Sequence, residues 1–384
     1  MIVKRPSFWL LILCLIVFSL LFLLKVKDEM IDFEVNYEAG QRIRQGETLY
    51  RAEDGHYQFK YSPFSSLFYI PLSYLPLDVA KGIWYFITLI STGFLLYISQ
   101  RLLVSSAKEA WILPMLTFLI LARYFLRELQ LGQINTLIAF LLILMIWLLN
   151  REEKHSSSWG EKSAGLTWGL SMALKPYSLI FLPYFLIKKK WQALGFGLLF
   201  LALSLLIPSL FYGFRGNFVV LKEWQSSLSK STPLLLDSQD NISIIALFMK
   251  WTANLKLSTY LYGFLLIVLA VFLLYIILKG SKTNQALLLD CAIILVLIPL
   301  VSPLGWDYNL LFSALGIMII LYSFNKYPKS WRAMLAANFL IIFFSLYSIL
   351  GRKLYAGFMS LSIITINFTI VIAGLAYLRL KGHR

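Results

Sequence analysis

Apolar runs separated by short charged turns recur from Phe8 to Leu378. Many of them last about 17–23 residues, the length a helix needs to cross a hydrocarbon core. The pattern predicts an all-α polytopic membrane protein, because lipid leaves no water to satisfy backbone groups outside a helix or a closed barrel. The expected spans are Phe8 to Leu24, Val79 to Ser99, Trp111 to Ala122, Gln133 to Leu149, Ala193 to Tyr212, Ser258 to Leu278, Ala286 to Val301, Tyr308 to Ser323, Ala333 to Leu350 and Ala356 to Leu378. Ala164 to Leu186 is long enough for one more crossing, yet basic residues flank both ends, Lys162 before it and Lys188-Lys189-Lys190 after it. Proline interrupts a helix, so Lys175-Pro176 predicts two short helices in a hairpin with Lys175 at its outer turn. Counting that hairpin as two brings the bundle to about twelve membrane helices.

One polar stretch stands out within this pattern. Residues 25–78 form a first outer loop carrying amphipathic helices, and in it Val35, Ala39 and Ile43 recur at helical spacing until Gly46 stops them. Residues 1–384 read as a single membrane-embedded domain without a separate soluble one. The apolar run Phe8 to Leu24 behind Lys4 and Arg5 is followed directly by Lys25 to Asp28, with no small-residue cleavage pattern, and reads as an uncleaved first span.

Composition agrees: 59% of residues are hydrophobic and 14% charged, against about 25% charged in soluble domains. The net charge of +16 would suit nucleic acid if it were clustered on one face. Instead the lysines and arginines concentrate in alternate short loops, as the positive-inside rule requires, placing both termini in the cytoplasm. The two cysteines, Cys14 and Cys291, sit in apolar runs and offer neither a disulfide nor a thiol metal site. No phosphate-binding glycine loop and no zinc helix is present, and no carboxylate cluster implies a divalent metal or another cofactor.

Ionisable residues near the mouth of a bundle are expensive unless they do something. Asp32, Arg123, Arg127, Glu128, Lys175, Asp240 and Asp307 all fall near outer span ends on this topology. Asp32 suits a general base and suits equally the N-cap of a helix starting near Phe33. Lys175 suits an anionic head group or a snorkelling span end. Arg123 and Arg127 fit either a phosphate clamp or interfacial anchors partnered by Glu128. The loop tyrosines, Tyr61 among them, read as an aromatic belt or as a sugar-site lining.

The order of several short motifs resembles glycosyltransferase family 87, polyprenol-phosphate-mannose-dependent α-mannosyltransferases of the GT-C superfamily. These are Asp32-Phe33, Gly46-Glu47-Thr48-Leu49-Tyr50, Phe59-Lys60-Tyr61-Ser62-Pro63 and Pro71-Leu72-Ser73-Tyr74-Leu75-Pro76. Then come Gly132-Gln133-Ile134-Asn135, Lys175-Pro176, Asn241-Ile242-Ser243 and Ser302-Pro303-Leu304-Gly305-Trp306. The resemblance implies a GT-C-like fold in the cell membrane with its site on the periplasmic or extracytoplasmic face. It implies transfer of a hexose, mannose in the family, from a polyprenyl-phosphate donor to a lipid or glycan acceptor with inversion. Asp32 would be the base, and Lys175 would hold the donor phosphate with Arg123 or Arg127. Gln133, Asn135, Asn241, Trp306, Asp307, Tyr308 and Tyr61 would line the sugar and acceptor pocket. One departure is clear: where the family often has a histidine after the late tryptophan, this chain has Asp307-Tyr308-Asn309. The competing expectations are a transporter or flippase for a lipid-linked sugar, which needs a polar path across the bilayer, and a catalytically inactive relative.

Overall fold

The computed structural model describes residues 16–104, 111–155, 159–279 and 285–381. The start of the first expected span, with Cys14, lies outside them, and its remainder is a helix over residues 16–24 (α1). The loop that follows contains α2 (Ile31–Gln45) and the short α3 (Pro63–Leu67). Next come α4 (Leu77–Leu103), α5 (Ile112–Ile120), α6 (Ala122–Leu131), α7 (Asn135–His155) and α8 (Gly160–Leu174). A 3-10 turn at Pro176–Phe181 leads to α9 (Leu182–Ile187), α10 (Trp191–Leu206), α11 (Ser209–Ser231), α12 (Ile244–Thr252) and α13 (Leu255–Lys279). The chain ends with α14 (Ala286–Val301), a 3-10 segment Asp307–Ser313, α15 (Ala314–Tyr322), α16 (Lys329–Phe344), α17 (Tyr347–Ser360) and α18 (Ile363–Lys381).

Apart from Asp290, helix α14 is apolar on every side, and it is buried from Leu287 to Leu300, making it the centre of the bundle. Helix α13 is also strongly apolar, but only 11% of its span is buried, so it leaves an apolar surface exposed at the edge of the bundle. Among the described residues four helices are long and apolar enough to cross a bilayer alone, and two bent pairs raise that to six. The remaining apolar helices, including α14, are shorter and rely on their neighbours.

The hairpin predicted at Lys175-Pro176 is present. Glu161 Oε1, at the start of α8, accepts from the backbone N–H groups of Gln192 and Ala193 at 2.7 and 3.1 Å, so the chain returns to where it left. Close packing of α8 on α10 depends on small residues, since Gly165 lies against the Ala193 backbone and Gly169 against Gly197. The basic end of this hairpin meets Asp290, which pairs with Arg379 at 2.6 Å and with Lys188 at 3.5 Å.

Two expected spans end differently. After α10 the chain turns by 90° around Pro208 into α11, which is itself kinked at Gly213 (φ +66°, ψ 167°), the residue where the loop was expected to begin, and resumes as helix to Ser231. Beyond Gly213 the helix runs on through the charged residues Arg215, Lys222 and Glu223. The expected span Ala333 to Leu350 likewise breaks at Ser345, and α17 turns away by 102°. Helix α11 then docks on the first long loop. Tyr212 OH donates to the Glu47 carbonyl at 2.7 Å and Trp224 Nε1 to the Lys60 carbonyl at 3.1 Å, over a small core of Ala39, Ile43, Leu49, Tyr50, Phe59 and Val220.

Candidate active site

Helix α2 begins after Met30, so Asp32 is inside its first turn and is not its N-cap. Its side chain is therefore available for another contact, and the neighbouring packing decides which. Phe33 and Tyr69 pack on Trp84, with ring centroids 5.8 and 4.9 Å away, and Trp84 Nε1 donates to the Gly132 carbonyl at 2.9 Å. Gly132 closes α6 with φ of +69°, and a Cβ there would lie 2.6 Å from Phe33 Cβ. Only glycine satisfies both the left-handed turn and that approach. The result sets Gln133 beside Asp32, with Nε2 donating to Asp32 Oδ2 at 2.6 Å.

Around this pair lies a cavity of about 770 Å³, lined by Asp32, Lys60, Tyr61, Arg127, Gln133, Lys175, Trp306 and Tyr308, and also by Trp224 of α11. Lys175 enters from the extended link after α8. Ser62 holds that link by donating to the Ala173 carbonyl while accepting from Ser65 N–H to cap α3, which gives the Ser62-Pro63 motif a structural role.

The two arginines behave differently from a free phosphate clamp. Arg123 is buried and donates to Asp307 Oδ2 at 2.6 Å, Tyr355 OH at 2.7 Å and the Ser345 carbonyl at 2.7 Å. Arg127 reaches the cavity but donates to Asp240 Oδ2 at 2.6 Å and Asp307 Oδ2 at 3.2 Å. Their partner is not Glu128. That carboxylate is fully buried and accepts from Asn135 Nδ2 at 3.0 Å and Thr136 N–H at 2.8 Å, an anion on the N-terminus of α7.

Asn135, Asn241, Arg123 and Asp307 stand behind the wall and do not line the cavity. Asn241 is completely buried and acts as a clasp. Its Nδ2 donates to the Pro303 carbonyl at 3.0 Å, and its Oδ1 accepts from Gly305 N–H at 3.0 Å and Ser243 N–H at 3.1 Å. A single antiparallel bridge, Asn241 to Trp306, completes the join and presents Trp306 and Tyr308 to the cavity.

Lys60 falls within the Phe59-Lys60-Tyr61-Ser62-Pro63 motif, yet the motif alone gives it no site role. It is half-buried, lines the cavity, and has no carboxylate in salt-bridge range among the described residues. Burial lowers its pKa, and the charge of Asp32 partly offsets this. No group of three histidine, cysteine, aspartate or glutamate side chains suited to a metal occurs among the described residues.

The profile of glycosyltransferase family 87 matches residues 59–303. The chain belongs to that family. A family 87 protein with this helical content is a multi-pass membrane glycosyltransferase. Among solved structures, that of ArnT from Cupriavidus metallidurans in the apo state is similar over 98% of this chain and 78% of that chain, with 11% identity and a TM-score of 0.41. Comparison with curated proteins returns no match for the sequence.

Proposed function

We propose that this family 87 protein transfers a hexose, with mannose the first candidate, from a polyprenyl-phosphate donor to a hydroxyl of a lipid or glycan acceptor. The observation that carries this reading is the half-buried Asp32 carboxylate on the wall of the cavity, with one oxygen fixed by Gln133 and with Lys60 and Lys175 on the same lining.

The acceptor hydroxyl gives its proton to Asp32 while its oxygen forms a bond to the anomeric carbon. The bond from that carbon to the phosphate oxygen breaks on the opposite face, so configuration inverts and the electron pair leaves with the lipid phosphate. Lys60 meets that charge most directly, because Arg127 already serves two carboxylates and Arg123 is behind the wall. Trp306, Tyr308 and Tyr61 supply aromatic surface for a sugar ring. The apolar stretch of the lining, including Leu228, Leu235, Ile298 and Val301, suits a prenyl chain.

On the positive-inside reading both termini are cytoplasmic and the cavity opens on the extracytoplasmic face. A flippase would need polar groups across the bundle, whereas α14 from Cys291 to Leu300, between Asp290 and the cavity, is apolar and buried. The test is turnover of the purified protein in nanodiscs with a panel of polyprenyl-phosphate hexoses. A glycosylated acceptor with inverted anomeric configuration supports the reading, and retention of configuration contradicts the single displacement.

A further inference from the structure

Asp32 and Lys175 are bridged by a single side-chain amide. Gln133 Oε1 accepts from Tyr61 OH at 2.8 Å, from Lys175 Nζ at 3.1 Å and from Asn135 Nδ2 at 3.3 Å. Its Nε2 donates to Asp32 Oδ2 at 2.6 Å and lies 3.3 Å from Tyr308 OH. An ammonium can only donate and an ionised carboxylate can only accept. Lysine at one end and aspartate at the other therefore allow only one orientation of the amide. Flipping it would set N–H against ammonium and oxygen against carboxylate.

The ammonium itself has little left to offer a substrate. Lys175 is 3% exposed, and its three N–H groups have three protein destinations: Gln133 Oε1, Asn135 Oδ1 at 2.8 Å, and the Tyr61 ring, whose centroid is 4.2 Å from Nζ. Asn135 is held in turn by Glu128, so the chain of contacts runs from a buried carboxylate at the start of α7 to the carboxylate on the cavity wall. Asp32 Oδ1, by contrast, has no hydrogen-bond partner among the described residues.

We propose that Lys175 is a positioning residue for the base: it fixes Gln133, which holds one oxygen of Asp32 and leaves the other directed at the acceptor hydroxyl. This rests on the reading of Asp32 as the base and changes what Lys175 does in it. The lysine orients the base, and contact with the anionic donor falls to Lys60.

The experiment is a double-substitution cycle on the full-length protein in nanodiscs, with Lys175→Met, Gln133→Leu and the pair, supplied with a polyprenyl-phosphate hexose. Each single change should lower kcat about 10- to 100-fold, the loss expected of a misaligned reacting group. The pair should lose no more than the worse single, and the donor KM should stay within about twofold. Tyr61→Phe, which removes one bond to Gln133 Oε1 and keeps the ring beneath Lys175, should give a smaller loss of kcat. Additive losses, or a raised donor KM with unchanged kcat in Lys175→Met, overturn the proposal. If the wild type makes no product from any donor, the transferase reading fails and the cycle is judged on thermal unfolding alone. The Tm change from Lys175→Met should then shrink when residue 133 is leucine, and equal changes in both backgrounds overturn the coupling.

Discussion

Replacing Asp307 with alanine tests whether the late loop is held by charge. The Asp307 carboxylate is fully buried and faces Arg123, whose side chain is 6% exposed, at 2.6 Å, with Arg127 at 3.2 Å. Breaking a buried ion pair by removing one partner costs about 3–5 kcal/mol, because the other charge stays behind without compensation. Here the low end applies. Arg127 keeps Asp240, and Arg123 keeps the Ser345 carbonyl and Tyr355 OH, so the expected loss is about 3 kcal/mol. Asp307→Asn retains an acceptor without the charge and should lose about 2 kcal/mol. The pair Arg123→Met with Asp307→Leu removes the unpaired charge as well and should recover to within about 1 kcal/mol of wild type. Unfolding in a mild detergent, followed by tryptophan fluorescence against denaturant, measures all three. A loss below about 1 kcal/mol for Asp307→Ala, or a double variant worse than the single, would refute the buried-pair argument.

Other substitutions address the cavity directly. Lys60→Met should raise the donor KM about tenfold while leaving the fold intact, as measured by initial rates across donor concentration. Burial lowers the pKa of Lys60, so it loses its charge at a lower pH than a free lysine. Donor kcat/KM should therefore fall as pH rises into the alkaline range, and that fall should vanish in Lys60→Met when the two profiles are compared. Gly132→Ala forces a Cβ into Phe33 at a positive φ and should cost about 1–2 kcal/mol from the backbone conformation alone. Its kcat should fall with it, because Gln133 moves relative to Asp32. Steady-state kinetics on protein that still elutes as a single species check this.

Much of the architecture was legible because hydrophobic runs and lysine placement are strong physical signals. The hairpin at Lys175-Pro176 followed from a triple lysine that could not sit at the far end of a single crossing. The bends after Leu206 and Phe344 were not legible, because apolar residues continue across both breaks and each segment keeps its helical periodicity. At the site, the sequence singled out Asp32, Lys175, Gln133, Trp306 and Tyr308, and the fold brings all of them to one cavity. Position along the chain could not separate side chains on the wall from those behind it. Asn241 and Asn135 look like pocket asparagines, yet both are spent on neighbouring backbone and side-chain partners. Lys60 lies within the Phe59 to Pro63 motif, but the motif gives it no role of its own, since its place on the cavity lining depends on how the first loop packs against α11. Where a histidine was expected, Asp307 instead joins two arginines, which makes that position part of the support for Tyr308 and Trp306.

The central claim is that Asp32 takes the acceptor proton during sugar transfer. Its most direct test compares wild type with Asp32→Asn in the same nanodisc assay, using the polyprenyl-phosphate hexose that the wild type accepts. Asparagine keeps the size and one oxygen to accept from Gln133 but cannot take the proton. Turnover should fall about 10²–10⁴-fold, the usual contribution of a general base, with unchanged thermal unfolding and little change in donor KM. A folded Asp32→Asn protein that transfers sugar at the wild-type rate would contradict the account.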